Sequence, residues 1–210
     1  MLKIGLCGGS GSGKTLVEKL FDANGIPGLD TDILYHEMIS ADTPLSRALA
    51  ARFGGGIRNS DGSVDRARLS EIVFSGTDAA ALSDLNRMTH GAILERCRVW
   101  LEEKAQEGAA AAIINAPLLF ESGFDRECDL VVAVVADFSL RISRIMKRDG
   151  LSEDAARRRI AAQIPDAELI ARADYFIRND NTEEALGRQV ADLSDTIKKI
   201  AEEHPHGKRS

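Results

Sequence analysis

Short apolar runs alternate along the chain with stretches whose apolar residues recur every three or four positions. That is the pattern of strands and amphipathic helices in a parallel α/β sheet. Leu2–Leu6 predicts a first strand that opens straight into glycines. Leu16, Val17, Leu20 and Phe21 then fall at helical spacing over 14–24, and Pro27–Asp30 predicts a second, short strand. Ile113–Asn115 and Leu130–Val135 predict buried central strands, the latter without alternation, as befits a strand covered on both faces. Tyr175–Ile177 is a weaker fifth.

Between the second and third strands runs a long helical stretch, about 32–108, broken by Phe53-Gly54-Gly55-Gly56 and by the turn Asp61-Gly62. This is more chain than a crossover helix needs, so a substrate-binding insertion is expected there. Residues 137–148 predict a helix capped by Asp137, and 151–172 one or two short helices starting at Ser152. Leu186, Val190, Leu193, Ile197 and Ile200 give the last helix its core stripe. From Glu202 the chain is polar and reads as a disordered tail, with His204 and His206 solvated rather than metal-bound. The expected organisation is one α/β domain, 1–210, carrying its insertion.

The net charge of -6 disfavours nucleic acid and anionic membrane as partners, so an anionic ligand must meet locally positive groups. Cys7, Cys97 and Cys128 are odd in number and lack C-x-x-C spacing, which suits free thiols in a reducing compartment. No apolar run approaches the roughly 20 residues of a membrane span. Ile4-Gly5-Leu6-Cys7 lacks the charged and apolar stretches that precede a lipoprotein cleavage site. The expectation is a cytoplasmic protein, a monomer or weak homo-oligomer, with no nucleic-acid or membrane partner.

Gly8-Gly9-Ser10-Gly11-Ser12-Gly13-Lys14-Thr15 satisfies G-x-x-x-x-G-K-[ST] directly after an apolar strand and at the start of an amphipathic helix. Glycines let successive backbone N–H groups turn inward around a phosphate, and the helix adds its positive end. Gly9 to Leu16 are therefore the expected ATP contacts (Gly9, Ser10, Gly11, Ser12, Gly13, Lys14, Thr15 and Leu16), with Lys14 on the β- and γ-phosphates and Thr15 as a Mg²⁺ ligand. A glycine-rich turn with a solvated lysine is the bland alternative, and the strand–loop–helix context argues against it. A GTPase would need N-K-x-D, which is absent, and Asp22–Gly25 falls at a helix end rather than after a strand. Phosphoryl transfer to a small molecule fits better.

A kinase acting on a hydroxyl needs a carboxylate to orient the alcohol and take its proton. Asp30 and Asp32 lie at the C-terminal end of the second strand, the ligand-facing edge of an open α/β sheet. One is expected to face the ligand and the other to cap the following helix, and a pair of plain caps or turn residues remains the alternative.

The glycine loop followed by Asp30-x-Asp32 resembles the dephospho-coenzyme A kinase family. Further matching stretches follow in order: Phe53-Gly54, Asp61-Gly62 with Asp65-Arg66, Leu69, Val73-Phe74, Leu85-Asn86 with His90, and Pro117-Leu118-Leu119-Phe120-Glu121. Arg144 with Arg148-Asp149, Arg159 with Gln163, and Ala173-Asp174 leading to Asn179 complete a likeness that spans residue 3 to about 180. The resemblance implies a P-loop fold with a five-stranded parallel sheet ordered 2-3-1-4-5. It implies ATP-dependent phosphorylation of the ribose 3′-hydroxyl of dephospho-coenzyme A to coenzyme A. On the same basis Asp32 would be the catalytic base, the insertion with His90 would hold the acceptor, and Pro117 and Leu118 would line its site. Two departures stand out. Gly91 replaces the family's usual proline and is expected to loosen a loop there, leaving His90 open between packing and substrate contact. Asn115 stands where many members carry aspartate, so Mg²⁺ would rely on Thr15, phosphates and water, with Asp30 or Asp32 as further candidates.

Arg141, Arg144 and Arg148 share one helix face, opposite a buried side expected from Ile142, Ile145 and Met146. A solvated basic face is the ordinary reading of such a stripe. In an acidic chain that must balance charge on a transferring phosphoryl group, a phosphate clamp fits better. The resemblance selects Arg144 and Arg148, with Arg148 beside Lys14 and Asp32 as catalytic. Gly150 and Arg157-Arg158-Arg159 suggest a hinged lid over 149–172. The competing readings are a kinase of another small hydroxyl or nucleoside, and a non-catalytic ATP sensor, which would have no use for Asp32.

Overall fold

The computed structural model describes residues 1–76 and 78–203. Leu2–Cys7 (β1) buries every residue but Lys3 because it lies at the centre of a parallel sheet, between Ala111–Asn115 (β3) and Leu130–Val135 (β4). Gly28–Asp30 (β2) and Tyr175–Arg178 (β5) flank them, giving the order β2-β3-β1-β4-β5 expected above. All six residues of β4 are buried, as its unbroken apolar run required. Lys14–Ala23 (α1) and Glu183–Glu203 (α9) cover the sheet, with Val17, Phe21, Leu186, Val190 and Ile197 packed on Leu2, Ile4, Leu6 and Val132. Fully burying such a side chain contributes about 1.5–3 kcal/mol. Leu193 and Ile200 complete the α9 stripe half-buried.

Phe138–Asp149 (α6) starts at Asp137, whose carboxylate accepts from the Ser139 and Leu140 N–H groups, and ends at Gly150 in the left-handed region. Glu153–Ala161 (α7), capped by Ser152, and Asp166–Arg172 (α8) follow.

The chain forms two compact units, Met1–Asp30 with the chain from Leu101 onward, and Thr31–Trp100. The second holds Thr31–Ile39 (α2), Pro44–Phe53 (α3), Arg66–Phe74 (α4) and most of Ala81–Gln106 (α5). Its own core gathers Ile39, Leu45, Leu49, Phe53, Ile57, Leu69 and Val73.

Three expectations need correction. Glu202 and Glu203 are helical, because α9 continues three residues past Ile200, where its apolar stripe ends; His204 and His206 lie outside the described residues. Gly91 sits inside the unbroken helix α5 rather than in a loosened loop, since helical neighbours on both sides carry the backbone through. Met146 is 37% exposed, so of the three apolar residues expected on the buried side of α6, Ile142 and Ile145 alone are buried.

Candidate active site

β1 ends at Cys7, and the glycine loop turns from it into α1 at the C-terminal edge of the sheet. Two glycines are required by geometry. Gly13 caps α1 at φ 95, and Gly11 sits at φ 78 where a Cβ would stand 2.7 Å from the Arg141 carbonyl oxygen. Lys14 Nζ donates to the Gly8 carbonyl at 2.7 Å, so the ammonium lies back over the start of the loop. Thr15 stands exposed on the first turn of α1, and Leu16 packs against the core beneath it. Ser12 is buried, and its Oγ has no hydrogen-bond partner among the described residues.

Two arginines of α6 are wired into this loop. Arg141, only 4% exposed, donates through Nε to the Ser10 carbonyl at 2.9 Å and through Nη1 to Asp166 at 2.6 Å. Arg144 donates through Nη1 to the Gly11 carbonyl and through Nη2 to the Asn179 carbonyl, both at 3.1 Å. Asn179 Nδ2 donates to the Ser12 carbonyl at 2.8 Å. Arg148 lies further along the same face, its side chain 60% exposed, paired with Asp149 at 2.7 Å. Arg159 shares Asp149, and the Arg148 hydrogen bond holds the Asp149 carboxyl below the usual carboxylate range. Of the basic stripe, then, Arg141 is not solvated at all, and Arg148 alone is mostly open to water.

On the other side of the loop, Asn115 ends β3. Its Nδ2 donates to Glu18 Oε2 at 2.6 Å and to Asp30 Oδ2 at 2.9 Å. The asparagine thus joins two carboxylates at the sheet edge, where an aspartate would have faced both of them with like charge. Burial pushes the Glu18 carboxyl up, the Asn115 hydrogen bond opposes this, and the nearby Asp30 charge adds to it. Thr15 and these two carboxylates are oxygen donors on the same edge, a set that suits Mg²⁺ held mainly by phosphates and water.

A cleft of about 80 Å³ is lined by Gly8 and Gly9 from the loop, Pro117, Leu118 and Glu121 after β3, and Gln163 after α7. Leu118 is 47% exposed there. Cys7 also lines the cleft, but burial raises its thiol to about 12, so it is not a nucleophile. Phe120 carries the Arg172 guanidinium 3.9 Å above its ring.

Asp32 and His90 belong to the Thr31–Trp100 unit. Asp32 is exposed in the first turn of α2, two residues beyond the end of β2, and His90 is half-buried within α5. The structure therefore brings Gly9–Leu16, Arg144, Pro117 and Leu118 together in one unit, with Asp30 at its edge. Sequence reasoning assigned no role to Glu18, Asn179 or Gln163. The last two were visible as parts of a family pattern. Glu18 carried only its position one turn after Thr15.

The family model for Dephospho-CoA kinase matches residues 2–185. A dephospho-CoA kinase of Corynebacterium glutamicum (strain ATCC 13032) is 39% identical over 193 residues, covering 92% of this chain and 96% of that protein. One of Syntrophotalea carbinolica is 40% identical over 193 residues, covering 92% and 90%. Among solved structures, TT1252 from Thermus thermophilus aligns with a TM-score of 0.74 at 29% identity over 93% of this chain and 97% of that one. The dephospho-CoA kinase from Campylobacter jejuni shares the fold, with a TM-score of 0.70 at 24% identity over 94% and 98%. By a match that runs from the first strand to the last helix, the chain belongs to the dephospho-CoA kinase family.

Proposed function

We propose that this protein transfers the γ-phosphoryl group of ATP to the ribose 3′-hydroxyl of dephospho-coenzyme A, giving coenzyme A and ADP. The observation that carries the reading is the Gly8–Thr15 loop, leading from the central strand into α1 and sharing a cleft with Pro117 and Leu118, in a chain that matches the family almost throughout.

Backbone N–H groups of Gly9–Thr15 hold the phosphates, and Lys14 leaves the Gly8 carbonyl to balance charge on the β- and γ-oxygens. Arg144, bound to the loop and to Asn179, keeps that cradle in shape. Arg148 exchanges Asp149 for the transferring phosphoryl group, and the segment 149–172 closes over the nucleotide and keeps water out. Thr15 would hold Mg²⁺ together with phosphates and water, and the ion would supply positive charge to the phosphates during transfer. Asp32 takes the proton from the 3′-hydroxyl as its oxygen attacks phosphorus and ADP departs. Pro117, Leu118 and His90 contact the acceptor.

An ADP-release assay with a panel of acceptors tests this. Turnover should appear with dephospho-coenzyme A and not with nucleosides or simple sugars. Lys14→Ala should lower it at least ~100-fold, as removal of one preorganised donor does. ADP release that does not depend on the acceptor would overturn the reading.

A further inference from the structure

One N–H group of the phosphate loop is already spoken for. Ser10 N–H donates to Gln163 Oε1 at 2.8 Å, and Gln163 Nε2 lies 3.4 Å from Ser10 Oγ. Gln163 stands in the link between α7 and α8, 153 positions further along the chain. Arg141 closes the cluster from below, donating to the Ser10 carbonyl at 2.9 Å, to Gln163 Oε1 at 3.3 Å and to Asp166 at 2.6 Å. The contact is close enough that a Cβ placed on Gly9 would stand 3.2 Å from Gln163 Oε1.

Inward-turned backbone N–H groups in such a loop are donors for phosphate oxygens. Here a neutral carboxamide oxygen takes one of them. Its place along the triphosphate follows from Lys14. In loops of this kind the lysine reaches the β- and γ-phosphates, and Lys14 Nζ lies on the Gly8 carbonyl. The Gly8–Ser10 end of the loop is therefore the γ end, whereas Gly13–Thr15 open α1 and face the β-phosphate.

Building on the ATP-binding role proposed above, we infer that Gln163 discriminates triphosphate from diphosphate by holding the Ser10 N–H that a γ-phosphate oxygen takes. ATP must displace the carboxamide, and it does so because a charged phosphate oxygen makes the stronger hydrogen bond. ADP reaches only the β end and leaves the bond in place. Once the γ-phosphoryl has been transferred, Gln163 regains Ser10 and blocks the position it has left. The α7–α8 link thereby follows the presence of the third phosphate.

Calorimetric titration of the full chain with Mg²⁺ and either a non-hydrolysable ATP analogue or ADP, without acceptor, tests this. Gln163→Ala should bind the analogue about two- to tenfold more tightly, the reach of one net hydrogen bond, with ADP affinity unchanged. Gln163→Met keeps the length and removes the acceptor, so it should behave alike and replaces the alanine variant if that one fails to fold. Gln163→Glu should shift the other way, weakening the analogue more than ADP, because a carboxylate both holds the N–H and repels the γ-phosphate. A purely structural residue would move both nucleotides in the same direction in every variant. That result, or variants indistinguishable from wild type, overturns the inference while leaving the kinase reading intact. A wild-type chain that binds neither nucleotide overturns both.

Discussion

Asn179 Nδ2 donates to the Ser12 carbonyl at 2.8 Å and lies 2.2 Å from where a Cβ on Gly13 would stand. A residue just past β5 therefore props the phosphate loop directly, and its own carbonyl receives Arg144. Asn179→Ala leaves the Ser12 carbonyl buried without this donor. It should lower stability by about 1–3 kcal/mol, the range for an unmatched buried polar group, and weaken ATP binding at the same time. Urea unfolding and nucleotide titration would check the two effects; a variant with wild-type values in both shows that the loop does not lean on Asn179.

Glu18 offers a pH test. Burial first, and the Asp30 charge after it, hold its carboxyl above the ordinary value, outweighing the opposing Asn115 hydrogen bond. A raised carboxyl favours the folded state below the unfolded value, and that contribution is lost as pH rises through the folded one. Glu18→Gln keeps an acceptor for Asn115 and removes the charge. Its Tm should exceed that of wild type at neutral pH, and the difference should shrink toward zero near about pH 4, where the ordinary carboxyl is itself half protonated. A difference independent of pH would mean that the charge on Glu18 is not what separates the two proteins.

The sheet was legible because its strands are apolar runs in a setting that buries them on both faces, and β4 appears with the bounds that its sequence predicts. The phosphate loop was legible because close backbone approach demands glycine at fixed spacing. What periodicity could not reveal is which polar side chain reaches which distant backbone group. Arg141, Arg144 and Arg148 look equivalent as a stripe, yet Arg141 is buried on Ser10 and Arg148 is tied to its own neighbour, Asp149. Gln163 and Asn179 meet the loop across 153 and 167 positions. Gly91 misled in the opposite way, because a glycine suggests a break where the surrounding chain is helical enough to continue through it.

That glycine gives a stability prediction. A Cβ at Gly91 would meet nothing within 4 Å, and the residue lies in mid-helix on an exposed face. Gly91→Ala should stabilise the chain by about 0.5–1 kcal/mol through the lower backbone entropy of the unfolded state. Thermal unfolding would show it as a higher Tm. A lower Tm would mean that the helix does not persist through residue 91.

The chemistry is most exposed to test at Asp32, which is the proposed base. Asp32→Asn keeps size and shape but removes the proton acceptor, so turnover with dephospho-coenzyme A should fall by ~100- to 10,000-fold, the usual range for a general base. ATP affinity should barely change, because the loop supplies that binding. Asp30→Asn should behave differently. Asp30 accepts from Asn115 at the end of β2, and an amide oxygen can still take that hydrogen bond, so the change should act mainly on melting temperature, by about 1 kcal/mol or less. The two variants thus separate, one in rate and the other in stability, when both are assayed for ADP release and thermal unfolding. If Asp30→Asn abolishes turnover while Asp32→Asn leaves it intact, the roles within the pair are reversed. If neither variant loses turnover, the base lies on another residue, and the match of Asp30-x-Asp32 to the family pattern does not extend to its chemistry.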